Sequence, residues 1–547
     1  MTVRATGHAA GLGSLVLLRM RRDRVQVPVW IGSIGSLTLF SSLAMAASVA
    51  TQAAREDVIR LAVASPILRM LRGVPQGANL DALVFSQIFV LLAVMVAVMN
   101  TFLAVRHSRA EEESGRADLI AGTPAARLLP LVATVLYGGL VNLAVGAVVA
   151  VAFTAVGFSP SGAVLSGASL GATGLVFLGV GRLCAAVMRS SRAANGTAVA
   201  LVGVSFLLRA LGDANGMPTT DGLSVTSAWP SWLSAFGWAQ GTSPFTTANT
   251  LPLLISAAVA GGLVAVVLGV QSVRDIGASI LPEHHRRAEA KAGLLGSFGL
   301  AWRLQWPAIL GWSVTGLAFG MLAGSLGGSV VRLVQSDPSM QGGLASLAAR
   351  GPGSVIDLFT AAIFSLLGVL AATAAIQSVV RLRQEEIGGS AELLLSMPVQ
   401  RTRWMLDYLL GGVLAIVLVL ASGIGGAAIG LSQSENTADR VSSVVVSGLA
   451  QVPAALLMLM GAATLCAFVP RVSIPLSWTI LLACVLIGQF GGLFGLPVWV
   501  RALSPFFHTS VGAVTDANWL ADVVMVAVAA GLGAAALAGV SRRDMAL

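Results

Sequence analysis

An all-α polytopic membrane protein is the fold class this sequence predicts, on three observations. Apolar residues make up 56% of the 547-residue chain. Its mean hydropathy is +0.86. Several continuous apolar runs exceed the roughly 20 residues that a helix needs to cross a bilayer. The runs do not alternate, which excludes a β-barrel, and no soluble core of this length needs so much apolar surface.

The apolar runs place six spans near 28–50, 83–105, 128–155, 163–187, 196–211 and 251–271, and six more near 306–327, 355–380, 404–431, 442–468, 473–495 and 519–540. The start mimics a signal peptide, with basic Arg19–Arg24, an apolar stretch and Ala44-Met-Ala46. The stretch from Pro28 to Ala50 is longer than a signal core, so it reads as an uncleaved first helix. Basic residues flank the spans on alternating sides. Arg19, Arg21, Arg22, Arg24, Arg106, Arg109, Arg116, Arg127, Arg189, Arg192, Arg274 and Arg542-Arg543 mark one side, whereas the loop 212–250 has no Lys or Arg. The positive-inside rule then puts both termini in the cytoplasm of a cell or plasma membrane. The loop 51–82, with Arg55, Arg60, Arg69 and Arg72, is the exception. The net charge of +9 is explained by this anchoring rather than by nucleic acid. Cys184, Cys466 and Cys484 lie in apolar runs without metal-like spacing and read as small packing residues.

A short acidic segment occurs twice. Arg109-Ala-Glu111-Glu112-Glu113-Ser-Gly115-Arg116-Ala-Asp118, continuing to Pro124 and Arg127, matches Arg383-Gln-Glu385-Glu386-Ile-Gly-Gly389-Ser-Ala-Glu392, continuing to Pro398 and Arg401, without a gap at an offset of 274 (385 − 111). Other stretches repeat in the same order: Arg24-Val-Gln26-Val-Pro28 with Arg303-Leu-Gln305-Trp-Pro307, Leu183-Cys184-Ala185 with Leu465-Cys466-Ala467, Ser243-Pro244-Phe245 with Ser504-Pro505-Phe506, and Arg274-Asp275 with Arg543-Asp544. Six spans separate the copies, so the repeats are parallel. The organisation predicted is a first repeat at 1–271, a polar linker at 272–304 and a second repeat at 305–547. The Glu-His-His-Arg-Arg run of the linker reads as solvated loop. Small residues such as Gly411-Gly412 serve close helix packing. Trp229, Trp232, Trp238, Trp499 and Trp519 suit either an interface belt or short segments dipping into the outer leaflet.

Lys291 is the single lysine among 33 basic residues, and Ala292 follows it. A phosphate-binding P-loop needs Lys before Ser or Thr, so the chain carries no such loop of its own. The spans are almost free of charge: Asp357, Asp407 and Asp522 fall near span ends, Arg182 lies close to an inner end, and Arg209 ends the fifth span, where snorkelling explains it. With neither a nucleotide site nor a mid-membrane relay, energy is expected from another polypeptide docking on the acidic segments. Each would form a short helix presenting Glu111, Glu112 and Asp118, or Glu385, Glu386 and Glu392, to the cytoplasm. Leu119-Ile120 and Leu393 to Leu395 would anchor these helices under the membrane, and Pro124 and Pro398 would end them.

The motif Glu-Glu-x-x-Gly-x-x-Glu-Leu-Leu-Leu-x-x-Pro-Val-x-Arg at 385–401, after the second span of a six-helix unit, resembles that of ABC-2 type permeases. The fused form is similar to actinobacterial exporters of the polyketide-antibiotic, tetronasin and mycobacterial multidrug efflux type. The first copy departs, with Asp118 for Glu, Ile-Ala for Leu-Leu and Ala125 for Val; Ser390 stands where the first copy has Arg116. The resemblance implies a pseudo-dimer of two six-helix repeats, coupling helices at 106–127 and 381–403 docking on separate ATPase subunits, and ATP and Mg held by those partners. The ATPase is expected to be two copies of one protein. It also implies amphipathic helices at Gly11–Arg24 and Gly293–Gln305 and a cavity lined by the second and fifth spans of each half. Those spans offer Phe85, Phe89, Met95, Met99, Asn100 and Phe206, and Phe359, Phe364, Thr373, Gln377 and Phe490, for hydrophobic drugs or lipid-like cargo. Two rivals stand beside this reading. One is a proton-coupled antiporter; the other is a lipid-sugar transferase using Glu56 and Asp57.

Overall fold

The computed structural model describes residues 2–121, 128–273, 296–336, 355–431, 437–491, 496–509 and 519–543. Expectations that fall on Pro124, Arg127, Arg274, Asp275, Lys291, Asp544 and most of the linker lie outside these residues. The described residues are 83% helical, and the chain divides into two compact units, Met1–His285 and Arg286–Leu547. Among the described residues, eleven helices are long and apolar enough to cross a membrane. The remaining apolar run, expected at 473–495, is a shorter helix, Ser473–Phe490.

In the first unit, α1 (Thr2–Arg22) leads through a short turn into α2 (Gln26–Ser48). Two helices follow, α3 (Gln52–Ala64) and α4 (Pro66–Arg72), each capped by a hydroxyl: Thr51 accepts from Ala54 N and Ser65 from Leu68 N. Then come α5 (Leu80–Arg106), the short α6 (Arg109–Glu113) and α7 (Arg116–Ala121), α8 (Leu129–Ala155), α9 (Pro160–Val187) and α10 (Ser191–Ala214). A hairpin pairs β1 (Met217–Pro218) with β2 (Val225–Thr226), and α11 (Ala235–Gln240) precedes α12 (Leu251–Val273).

Helix α9 is central and packs on α5, α8 and α12. A Cβ at Gly174 would lie 1.8 Å from Asn142 Oδ1, so only glycine admits the reciprocal amide pair that Asn142 and Asn100 make at 2.7 and 2.9 Å between α8 and α5.

At the end of this unit opposite the acidic segment, Arg209 does not snorkel. Its side chain is fully buried and pairs with Asp213 at 2.9 Å, and it donates to the carbonyls of Arg69 and Met70. Asp213 also accepts from Ser227, Ser231 and Gln240. Four partners in one pocket outweigh the reach to water that snorkelling would need. Three of the arginines that looked exceptional in 51–82 have partners within the first unit: Arg69 donates to Gly216 O at 2.9 Å, Arg72 to Gln87 at 2.6 Å, and Arg60 lies 3.6 Å from Glu56. Glu56, taken above as half of an acid pair, is thus part of an ordinary helix-face ladder that also includes Gln52.

The second unit contains α13 (Ser297–Ser336), α14 (Val355–Ile387), α15 (Ser390–Leu395), α16 (Arg401–Leu431), α17 (Thr437–Leu449), α18 (Val452–Phe468), α19 (Ser473–Phe490), α20 (Val498–Arg501) and α21 (Trp519–Arg542). Its core is built by α13 on α16, α14 on α16 and α18, and α18 on α21. Among the described residues of the amphipathic helix expected at Gly293–Gln305, no separate element is seen. Residues 297–305 are the start of α13, which runs through Pro307 without a break. The fourth span of this half breaks at 450–451, where Pro453 opens α18.

Candidate functional site: the duplicated acidic segment

In both copies the glycine of the motif decides the backbone. Gly115 has φ +70° and Gly389 +74°, and a Cβ at either would meet nothing. The constraint is therefore conformational: left-handed φ breaks the chain between α6 and α7, and between the end of α14 and α15.

The carboxylates before that glycine do not stand free. Glu111 pairs with Arg22 at 2.9 Å and lies 3.5 Å from Nδ1 of the buried His107. Glu112 pairs with Arg109 at 2.7 Å. Glu113, not singled out from sequence, accepts from Ser191 N at 2.7 Å and from the Ser191 hydroxyl. In the second copy, Glu385 accepts from the Tyr408 hydroxyl at 2.5 Å and lies 3.4 Å from Arg381. Glu386 is fully buried between Arg383 at 2.6 Å and Arg543 at 2.5 Å. The expectation that Glu111, Glu112, Glu385 and Glu386 face solvent is therefore corrected. Arginines draw them inward: Arg109 and Arg383, which hold Glu112 and Glu386, are themselves buried, where an unpaired charge would cost several kcal/mol, of order 3–5.

These pairs brace helix ends. Arg109 donates to Arg189 O at 3.0 and 2.6 Å, tying the segment to the turn between α9 and α10. Arg383 donates to Pro470 O at 3.0 Å at the matching turn between α18 and α19. Arg543 reaches Cys466 O at 2.6 Å, and Arg401 donates to Arg543 O at 2.5 Å. Asp23, also missed, lies 2.6 Å from His107 Nε2 and 3.2 Å from Arg106, and accepts from Tyr137 at 3.2 Å. Burial pushes the Asp23 carboxyl up, but the hydrogen bond and charge of His107, with Arg106, hold it below the ordinary carboxylate range. Glu111 is likewise pushed up by burial and held low by His107, Arg19 and Arg22. The partners Arg22 and Arg543 lie 89 and 157 residues from their acids, so no local pattern pointed to them.

After the glycine the arrangement reverses. In α15, Ala391, Leu394 and Leu395 turn onto the core of the second unit, at the 3–4 residue spacing of one helix face. Glu392, Leu393 and Pro398 are exposed, as are Arg116, Asp118 and Leu119 in the first copy. The matching residues Leu119 and Leu393 are each 75% exposed. Every copy thus ends in an uncovered leucine beside an uncovered acid.

The residues expected to line a cavity are mostly packed within their own unit. Phe85, Phe89 and Met99 belong to the core of the first unit, with Met95 and Phe206 against it. Phe85 meets Phe89 at a tilt and Phe245 edge-on. Asn100 is consumed by Asn142, and the ring of Phe206 lies under the Arg209 guanidinium at 4.8 Å. In the second unit Phe364 is fully buried, Thr373 donates to Val369 O, and Gln377 accepts from Trp312 at 2.9 Å. The side chains of Phe359 and Phe490 lie outside the described set. An apolar cleft of about 240 Å³ opens instead among α14, α18, α19 and α21, with Ile376, Met458, Ile480 and Leu532 on its walls.

Residues 294–540 match the model of a family described as the multidrug efflux system permease Rv1217c, C-terminal domain. The chain is also 32% identical, over 519 residues covering 92% of it and 90% of the relative, to the multidrug efflux system permease protein Rv1217c of Mycobacterium tuberculosis (strain ATCC 25618 / H37Rv). The relative is matched through both halves, and the membrane helices that carry the braced acidic segments fall inside the match. With that similarity and its many membrane-spanning helices, the chain belongs to the Rv1217c family of multidrug efflux permeases.

Proposed function

We propose that the chain is the membrane subunit of an ABC-2 type ATP-binding-cassette exporter of the polyketide-antibiotic and tetronasin kind. It would expel hydrophobic drugs, antibiotics or lipid-like compounds across the plasma membrane. Two copies of a separate ATPase, holding ATP and Mg, dock on the two acidic segments, which lie on the cytoplasmic side with both termini. The observation that carries this reading is the matched pair of exposed tips, Asp118-Leu119 and Glu392-Leu393. An uncovered leucine with an acid beside it, repeated at equivalent positions, fits a partner offering an apolar socket rimmed by Arg. The inward carboxylates fit the same scheme as stiffeners, since a loop that receives a push must not flex. ATP-driven closure of the partner draws the tips together and shifts the helices toward an outward-open arrangement.

The test uses the exposed residues, because reversing Glu112 or Glu386 would strand buried arginines. Asp118→Arg with Glu392→Arg, and separately Leu119→Asp with Leu393→Asp, are expected to abolish co-purification of the ATPase and ATP-dependent efflux while the chain still inserts. Efflux that persists without any ATPase and collapses with the proton gradient would establish the antiporter reading instead.

A further inference from the structure

We infer that Glu113 is a positioning residue that ties the first acidic segment rigidly to the fifth span of its half, so that the two halves are unequally coupled. The inference rests on the exporter reading above.

The first segment holds the turn between α9 and α10 at two adjacent peptides. Arg109 donates to the carbonyl of Arg189 at 3.0 and 2.6 Å. Glu113 accepts from the backbone N–H of Ser191 at 2.7 Å, and its second oxygen takes the Ser191 hydroxyl. Ser191 opens α10, whose first N–H groups lack partners within the helix and carry the positive end of its dipole. Ser190 satisfies Ala193 N at 3.1 Å, and Glu113 supplies a charged acceptor to the next orphan donor. A cation on one side and an anion on the other grip the turn. Such a two-point hold resists pivoting, whereas one point acts as a hinge.

The second half keeps the first point and, among the described residues, has no counterpart of the second. Arg383 donates to Pro470 O at 3.0 Å, but the residue matching Glu113 at the 274 offset (113 + 274 = 387) is Ile387, which is exposed. The residue before α19, Val472, offers no side-chain cap. A displacement of α6 is thus transmitted directly to the first residue of α10, while the end of α14 holds the turn before α19 through Arg383 on Pro470 O and, by way of Glu386 and Arg543, on Cys466 O, neither of which grips the first residue of α19.

Glu113→Ile copies the second half into the first. The complex with its ATPase, in proteoliposomes, is assayed for a hydrophobic dye that the wild-type complex is seen to export, recording dye moved per ATP hydrolysed. Glu113→Ile is expected to lower that ratio about fivefold or more, the lower end of ordinary coupling strengths, with ATPase binding and hydrolysis unchanged. Glu113→Gln, which retains an acceptor oxygen, is expected to recover most of it. Spin labels at Arg116→Cys and Arg192→Cys are expected to keep one separation on nucleotide trapping in the wild type and to change separation in Glu113→Ile. An unchanged ratio together with an unchanged separation overturns the inference and leaves the exporter reading standing. Dye export that needs no ATP overturns both.

Discussion

The stretch leading into the first membrane helix is held by charge in the first half and by apolar packing in the second. At the offset of the matched Arg-x-Gln-x-Pro stretch (303 − 24 = 279), Arg19, Arg22 and Asp23 correspond to Phe298, Ala301 and Trp302. In the first half Arg19 donates to Pro130 O at 2.8 Å, Arg22 holds Glu111, and Asp23 is gathered by His107, Arg106 and Tyr137. In the second, Ala301 is buried in the core with Trp302 packed against it. The consequence is visible in the backbone. Directional bonds to Asp23 hold a turn between α1 and α2, while non-directional packing lets α13 run on as one helix of 40 residues. Matched stretches of sequence are thus secured by forces that respond differently to pH, salt and mutation.

The largest way to sharpen the contrast lies at the far end of the first unit, where charge again does the holding. Arg209→Ala leaves Asp213 buried without its cation and is expected to cost about 3–5 kcal/mol, read as a lowered unfolding midpoint of the purified chain. Next, Glu386→Gln strands Arg383 and Arg543 and is expected to cost about 3 kcal/mol. Glu112→Gln is expected to cost about a third of that, since 13% of its side chain remains exposed whereas Glu386 has none. Equal losses would show the two acidic segments to be equivalent braces.

A third prediction separates the two stretches by pH. Asp23 and Glu111 have folded-state values below their ordinary 3.8 and 4.5. Their contribution is therefore complete above about pH 4.5 and is lost as pH falls through the depressed values. Thermal unfolding between pH 6 and 3 is expected to show a decline that Asp23→Asn makes shallower and Trp302→Phe leaves unchanged. A decline of the same slope in Asp23→Asn would break the comparison. The smallest expected effect is at the shared glycine: Gly115→Ala and Gly389→Ala should each cost about 1 kcal/mol, because both face open space and differ only in backbone strain. A clear inequality would mean that one copy relaxes its turn and the other cannot.

Much of this was legible in the residues themselves. The helix expected at 83–105 is α5, Leu80–Arg106, and that expected at 163–187 is α9, Pro160–Val187, because length and apolarity along one segment decide whether it is stable across a bilayer. The special glycine of each copy could be found too, since only glycine takes a left-handed φ without strain. The misreadings were of direction rather than location. Arg209 sits where expected but turns inward, and Phe85, Asn100 and Phe364 occupy the expected spans but are used for packing. Contiguous residues alone reveal which segments are long and apolar enough to cross a membrane and that the acidic segment is duplicated. It took the folded molecule to show that Glu386 faces Arg543 and Glu113 faces Ser191 while Leu119 and Leu393 stay largely exposed. A carboxylate's orientation is set by whichever cation the fold brings within reach, and those cations come from other helices far along the chain.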